Sequence, residues 1–263
     1  MYTTSDKYID ILIGLEPVFK KAGQLALELR KTAKISDKFQ SGISMLDMVT
    51  DADLAVQEVI LTEMAKTKLR ECKIVAEENT PSVLKFKGVN DLTITIDPID
   101  GTFIYTSSGR FFSVIICLND GKSLLYTYVY YPVVDWARRI TKNKVEDFGT
   151  LPQAKIKNGL NLSRTIAYSK KPPENEIFDG LVKDGYTFRS MSEITDEAGS
   201  CTLLFLNQVA GYYTHDPGAY DALCALHYGQ AKNFTVNSTV DLSKLITGPY
   251  NQYYPGWYYV LKK

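Results

Sequence analysis

The chain has 263 residues, 45% of them hydrophobic and 23% charged, with 30 basic side chains against 30 acidic ones. A chain of this length buries roughly 70–75% of its unfolded surface, so it needs neither disulfide nor zinc staple. The balanced charge argues against a general nucleic-acid binder and against an acidic-membrane binder, both of which carry a basic excess.

Residues 5–30 place Tyr8, Leu12, Leu15, Phe19, Ala22, Leu25, Ala26 and Leu29 at three-and-four spacing, which predicts an amphipathic helix kinked at Pro17. The polar stretch 32–44 reads as a mobile loop or hairpin. Thr50 is a good N-cap for a helix over Asp51–Lys68 whose first turn carries Asp51 and Asp53. The period then changes. Lys73–Ala76, Leu92–Ile96, Phe111–Leu118, Ser123–Tyr131, Trp136–Thr141 and Lys144–Phe148 read as strands, and Asn119-Asp120-Gly121-Lys122 is a hairpin signal. The second half alternates: strands at Arg164–Ser169, Tyr186–Met191, Tyr212–Thr214, Asn233–Val236 and Trp257–Lys262, and helices at Pro173–Lys183, Ala198–Gln208 and Gly218–Tyr228. The Asn-, Gly-, Lys- and Pro-rich stretch 142–162 divides a helix-and-antiparallel-sheet lobe, 1–150, from an α/β lobe, 151–263. The 18 tyrosines favour strands.

Cys72, Cys117, Cys201 and Cys224 lie far apart, with no Cys/His ligand spacing, so structural zinc is not expected. Their scatter, and a start that lacks the order of a secretory signal, suit the reducing cytoplasm. No apolar run approaches the about 18 residues that a membrane-spanning helix needs.

The chemistry concentrates in Thr95-Ile96-Asp97-Pro98-Ile99-Asp100-Gly101-Thr102. A strand delivers two carboxylates with a proline between them. Proline restricts Asp97 to an extended conformation, so a sharp turn is expected that keeps both acids close. Gly101 permits backbone geometry that other residues resist, and Thr102 offers a hydroxyl where a helix would start. Neighbouring anions need a cation between them, and hard carboxylate oxygens suit Mg²⁺. A plain capped turn explains a lone DPxDG equally well. That bland reading weakens as other acids join: Glu77 and Glu78 at a strand end, Asp53 at a helix start, and Asp221 within an apolar helix.

The combination resembles the inositol monophosphatase family of magnesium-dependent, lithium-sensitive phosphatases. Asp47-Met48-Val49-Thr50-Asp51-Ala52-Asp53 is similar to its D-x-V-T-x-x-D element, Ala76-Glu77-Glu78 to its G-E-E, and Asp97–Thr102 to its D-P-I-D-G-T signature. Ala219-Tyr220-Asp221 stands where the family has W-D. The resemblance spans about residues 5–230 and implies a layered αβαβα sandwich of the sugar-phosphatase type, mixed α+β and α/β, in two lobes. It also implies two or three Mg²⁺ ions, a small phosphorylated substrate and a homodimer. Glu77, Asp97 and the Ile99 carbonyl would hold one ion; Asp97, Asp100 and Asp221 would hold the next. Asp53 and Thr102, assisted by Glu77, would deprotonate the attacking water. Gly101, Thr102 and Ser200 would face the substrate.

Departures fall on the substrate side. Tyr220 replaces tryptophan, Gly229-Gln230-Ala231-Lys232 stands where the family has a glycine-rich stretch, and Thr214 falls where the family has an inositol-contacting glutamate. Phe103-Ile104 after the signature is also unusual, and no counterpart of the family's final helix is expected. Alternatives therefore stay open. A 3′-phosphatase of adenosine bisphosphates would use Lys170 and Lys171 on a second phosphate, where a solvated lysine pair is the bland reading. A non-catalytic binding protein on the same fold would not turn over phosphate monoesters. A glycosyltransferase would read Asp51-Ala52-Asp53 as a metal-binding DxD. His215 and Arg110 read either as rim groups or as surface residues.

Overall fold

A computed structural model describes residues 4–32, 35–37, 48–142, 144–199, 201–248 and 251–262. Asp47, Ser200 and most of the 32–44 stretch lie outside the described residues. The first amphipathic segment forms two helices, α1 (Thr4–Gly14) and α2 (Glu16–Leu29), broken at Leu15 just before Pro17, which has no N–H to donate. Short strands β1 (Ile35–Asp37) and β2 (Met48–Thr50) pair antiparallel. Helix α3 (Asp51–Ala65) opens on a capping box in which Thr50 and Asp53 bond reciprocally.

Strands β3 (Lys73–Ala76) and β4 (Thr93–Asp100) lead to a one-turn helix, α4 (Thr102–Thr106). Strands β5 (Ser113–Asn119), β6 (Leu124–Tyr131), β7 (Trp136–Thr141) and β8 (Lys144–Phe148) follow. These six make one sheet in the order β3-β4-β5-β6-β7-β8, antiparallel except for the parallel β3–β4 pair. Next come β9 (Thr165–Tyr168), α5 (Glu176–Lys183), β10 (Thr187–Ser190), α6 (Met191–Ile194), α7 (Thr202–Phe205), β11 (Gly211–His215) and α8 (Leu223–Ala231). The chain closes with β12 (Thr235–Ser238), the short pair β13 (Ile246–Thr247) and β14 (Gln252–Tyr253), and β15 (Trp257–Leu261). A second sheet has the order β10-β9-β11-β15-β12.

Period-two alternation builds five layers. Val114, Ile116 and Leu118 of β5, with Tyr126, Tyr128 and Tyr130 of β6, pack against α1, α2 and α3. Their neighbours Ile115, Cys117, Val129 and Tyr131 face the other way, into a core shared with α7, α8 and the second sheet. Ile166, Tyr213 and Tyr259 cover the far side of that sheet and meet Phe178 of α5. The order is helices, sheet, helices, sheet, helix, an αβαβα sandwich. The tyrosine excess is partly explained: three of them form one wall of the first core.

Two predicted helices are shorter than the periodicity suggests. In 198–208 only Thr202–Phe205 is helical, because the preceding backbone is taken: Phe111 N–H bonds Glu197 C=O at 3.0 Å and Phe111 bridges Ala198. In 218–228 the helix starts only at Leu223, because residues 217–219 pair with 252–254 through Ala219 N–H to Gln252 C=O and Tyr254 N–H to Pro217 C=O. Asp221 therefore lies in the turn before α8, not within it.

Arg138 joins the two halves. It is 2% exposed, clasps Asp147 through both Nε (2.7 Å) and Nη2 (2.8 Å), and donates Nη1 to the Phe205 carbonyl at 2.9 Å. Its guanidinium stacks over Tyr228 with 4.4 Å to the ring centre. Arg138→Ala is expected to cost about 1.5–3 kcal/mol of stability, as for the loss of charge-assisted hydrogen bonds, because Asp147 is exposed and is not left as a buried charge; the loss is read from the shift in urea midpoint. A loss below about 1 kcal/mol would assign the junction to apolar packing alone.

Candidate active site

Strand β4 sets the site. Its ladder with β5 pairs Asp97 with Ile115 and Asp100 with Ser113, so three steps on β4 oppose two on β5. The extra residue is a β-bulge. Ile115 and Ser113 share a face, so the two acids opposite them do as well, despite their odd spacing. The expected sharp turn at Pro98 is thus replaced by a bulged strand, and the turn comes at Gly101, whose φ of 82° suits glycine. Asp97 Oδ1 accepts the Ile99 N–H at 3.0 Å, and Asp100 Oδ2 accepts the Ser113 hydroxyl at 3.0 Å. Asp97 and Asp100 are 6% and 5% exposed.

Three other segments converge on this bulge. Parallel pairing of β3 with β4 ends with Glu77 N–H on the Ile96 carbonyl at 3.2 Å, which sets Glu77 beside Asp97. Helix α3 brings Asp53, whose Oδ2 accepts both the N–H (2.8 Å) and the hydroxyl (2.6 Å) of Thr50. Gln57, one turn further along α3, receives the Glu78 N–H at 2.9 Å and donates to the Glu78 carbonyl at 2.6 Å, locking the Glu77-Glu78 corner to the helix. The turn before α8 brings Asp221, whose Oδ1 accepts the Ala222 N–H at 2.6 Å. A side chain at Gly218 would collide with that carboxylate, which explains the glycine.

Electrostatics confirm the convergence. Burial, then the charges of Glu77, Asp100 and Asp221, push the Asp97 carboxyl far above the ordinary range. Burial also pushes Asp53 up to about 7, against the bonds from Thr50 and with a further push from Glu77. Among the described residues no three His, Cys, Asp or Glu side chains stand at ion-chelating spacing. The donor set is nonetheless all oxygen: Glu77, Asp97, Asp100, Asp221 and the Ile99 carbonyl. That chemistry fits a hard divalent cation.

Thr102 opens α4, and its hydroxyl lies 3.4 Å from the Ile99 carbonyl. Helix α4 packs against β2, next to Thr50 and Asp53. The structure thus gathers Glu77, Asp97, Ile99, Asp100 and Asp221, with Asp53 adjoining Glu77 and with Gly101 and Thr102 at the end of the bulge. Ser200 lies outside the described residues. Gln57 and Ser113 escaped sequence reading because a buried glutamine or serine carries no motif.

The substrate side differs from what the sequence offered. Thr214 is buried and accepts the Ser169 hydroxyl at 3.0 Å, and Ser169 in turn accepts from Tyr212 at 2.9 Å. Lys170 is half-buried, not solvated: its Nζ donates to the Asp216 carbonyl at 2.7 Å, within reach of the charges of Asp216 and Asp221. His215 Nδ1 is buried with no hydrogen-bond partner, and burial lowers the imidazole's proton affinity. Arg110 is a loop clamp, donating to the Gln153 carbonyl (2.8 Å) and Glu197 (3.0 Å). Among the described residues no helix is long and apolar enough to cross a membrane.

An inositol monophosphatase from Dictyostelium discoideum is 32% identical over 139 residues, 53% of this chain and 48% of that protein. The chain's matches span about half or less of the length of the curated relatives. A staphylococcal IMPase-I crystallised with products superposes with a TM-score of 0.66 at 15% identity, covering 99% of this chain and 92% of that one. An IMPase/NADP phosphatase complexed with Mg²⁺ and phosphate gives 0.65 at 15% identity, covering 98% and 91%. Such low identities speak for a shared fold. The sequence profile of the inositol monophosphatase family matches residues 10–232. The chain belongs to the inositol monophosphatase family, whose members are phosphomonoesterases.

Proposed function

We propose that this chain is a Mg²⁺-dependent phosphomonoesterase of small sugar or polyol phosphates. The observation that carries the reading is the set of carboxylates around the Asp97–Asp100 bulge, which runs directly into the Gly101 turn and Thr102. In this reading residues 1–150 supply most ligands and residues 151–263 complete the set with Asp221. Two or three Mg²⁺ ions held by Glu77, Asp97, Asp100, Asp221 and the Ile99 carbonyl would supply charge neutralisation and a lowered water pKa.

The chain's own groups do the rest. Thr102 holds the attacking water and passes its proton toward Asp53, with Glu77 assisting. Burial raises the proton affinity of the Asp53 carboxyl in the metal-free chain. Thr50 fixes its orientation through two bonds to Oδ2. The Gly101 and Thr102 N–H groups, with Ser200, receive the phosphate. Lithium sensitivity, a homodimer and a cytoplasmic address belong to the same proposal.

One observation favours a second substrate class. The Thr214 hydroxyl is engaged with Ser169, whereas the Lys170 ammonium stands near Asp221. A cation there suits a second anionic group, as in adenosine 3′,5′-bisphosphate, and a buried, engaged threonine reads polyol hydroxyls poorly. On this second reading the kcat/KM for inositol 1-phosphate falls below that for the bisphosphate. The reverse order would restore the polyol reading.

Excess EDTA is expected to abolish hydrolysis of a generic phosphate monoester and Mg²⁺ to restore it. Asp97→Asn should lower kcat more than about 100-fold while the chelated variant keeps its far-UV spectrum. Full activity in EDTA would refute the metal-dependent reading. Asp53 also gives a pH signature. Its folded-state pKa, about 7, lies above the value of about 3.9 in an unfolded chain. The unfolded chain releases that proton first, so this group's contribution to stability is lost as pH rises from about 4 to about 7. In EDTA, Asp53→Asn should melt above the parent at pH 8 and close to it at pH 4. Parallel melting curves across that range would show that Asp53 is already ionised in the fold.

A further inference from the structure

Helix α4 is a single turn and cannot hold itself in place, since short isolated helices are marginal. Its last carbonyls, those of Ile104 and Tyr105, hold only turn bonds, from Gly109 N–H at 2.8 Å and Ser108 N–H at 3.3 Å, and can accept more. Arg30, at the end of α2, answers both needs. Its Nε donates to the Tyr105 carbonyl at 2.6 Å, and its Nη2 donates to the carbonyls of Ile104 (2.9 Å) and Gly109 (2.7 Å). The guanidinium carbon lies 5.4 Å from the Tyr105 ring centre and 5.2 Å from that of Phe112. A second tie runs beside it: the Tyr105 hydroxyl donates to the Ala26 carbonyl at 2.8 Å. The chain after α4 folds back tightly, with Gly109 N–H on the Ile104 carbonyl at 2.8 Å, and a side chain at Gly109 would strike Ile104. This fold-back turns the third carbonyl toward the same guanidinium.

We propose that Arg30 is a positioning residue of the active site: by clamping α4 from behind, it sets Thr102 against the Asp97–Asp100 bulge and Asp53. The inference rests on the role given to Thr102 above. Thr102 lies three residues before Tyr105 on the same turn, so displacement of the clamped carbonyls moves the hydroxyl with them. Misplacement of a reacting group by about 1 Å costs about 100-fold in rate. A planar fork can reach three carbonyls at once while stacking on rings; a lysine cannot.

The test uses the full-length chain with Arg30→Ala and Arg30→Lys, p-nitrophenyl phosphate as substrate, and amide hydrogen exchange. Both variants should lose about 10- to 100-fold in kcat with KM changed less than about threefold, the pattern of an interaction that matters in the transition state. Added guanidinium ion at non-denaturing concentration should restore part of the activity of Arg30→Ala. Exchange should rise in the 101–109 segment and stay unchanged in β3, β4 and β5. Unchanged exchange in 101–109, or a uniform rise across the chain, would overturn the proposal. If Arg30→Ala does not fold, Arg30→Lys, which keeps the charge and loses the fork, carries the same measurements. If the parent has no phosphatase activity, the functional reading fails, while exchange in 101–109 still decides whether Arg30 fixes α4.

Discussion

Two nearly buried carboxylates of like charge, Asp97 and Asp100, share one face of a central strand. A buried charge costs several kcal/mol unless compensated, and a second one nearby adds repulsion. The neighbourhood is organised around that problem. Ser113 and the Ile99 N–H each donate to one of the pair, while burial and the charges of Glu77, Asp100 and Asp221 still raise the proton affinity of Asp97. Glu77 and Asp221 intensify the field instead of relieving it. Such an arrangement disfavours the protein alone and favours whatever cation enters.

The elements that hold this arrangement come from distant parts of the chain. Asp53 rides on the first turn of α3, fixed by a capping box that also orients its carboxylate. Gln57, on the same helix, fastens the Glu77-Glu78 corner. Asp221 arrives from the second half, on a turn held by backbone pairing with residues 252–254. The shared core between the sheets makes this meeting rigid: β5 and β6 give alternate residues to it, and α8 packs on strands of both sheets. Arg138 adds a charged rivet across the same junction.

The substrate side follows a different logic. Thr214, Ser169 and Tyr212 form a chain of hydroxyls that satisfy one another, and Lys170 is half-buried beside the loop that carries His215 and Asp216. A closed hydroxyl chain offers little to a polyol, while an ammonium offers much to an anion. The two sides are thus built differently: crowded carboxylates around the bulge on one, hydroxyls closed on one another on the other.

Much of this was legible in the chain itself. Alternation with threonine marked the start of β4, β-branched and aromatic runs with a hairpin signal between them marked β5 and β6, the Thr50 cap marked α3, and Asp97–Thr102 marked the proposed centre of the site, because these signals are local and set by neighbouring residues. Residues whose meaning depends on partners far away were not legible. Gln57 and Ser113 carry no local pattern. Asp221 sits on an apolar run that reads as helix, and only the competing backbone pairs with residues 252–254 decide that the helix begins two residues later. Pro98 suggested a turn, whereas pairing with β5 absorbed it as a bulge and so put both acids on one face. The sequence by itself determined which groups could do the chemistry; the tertiary structure decided how they face one another, because register, burial and shared backbone bonds are properties of pairs of segments and not of either alone.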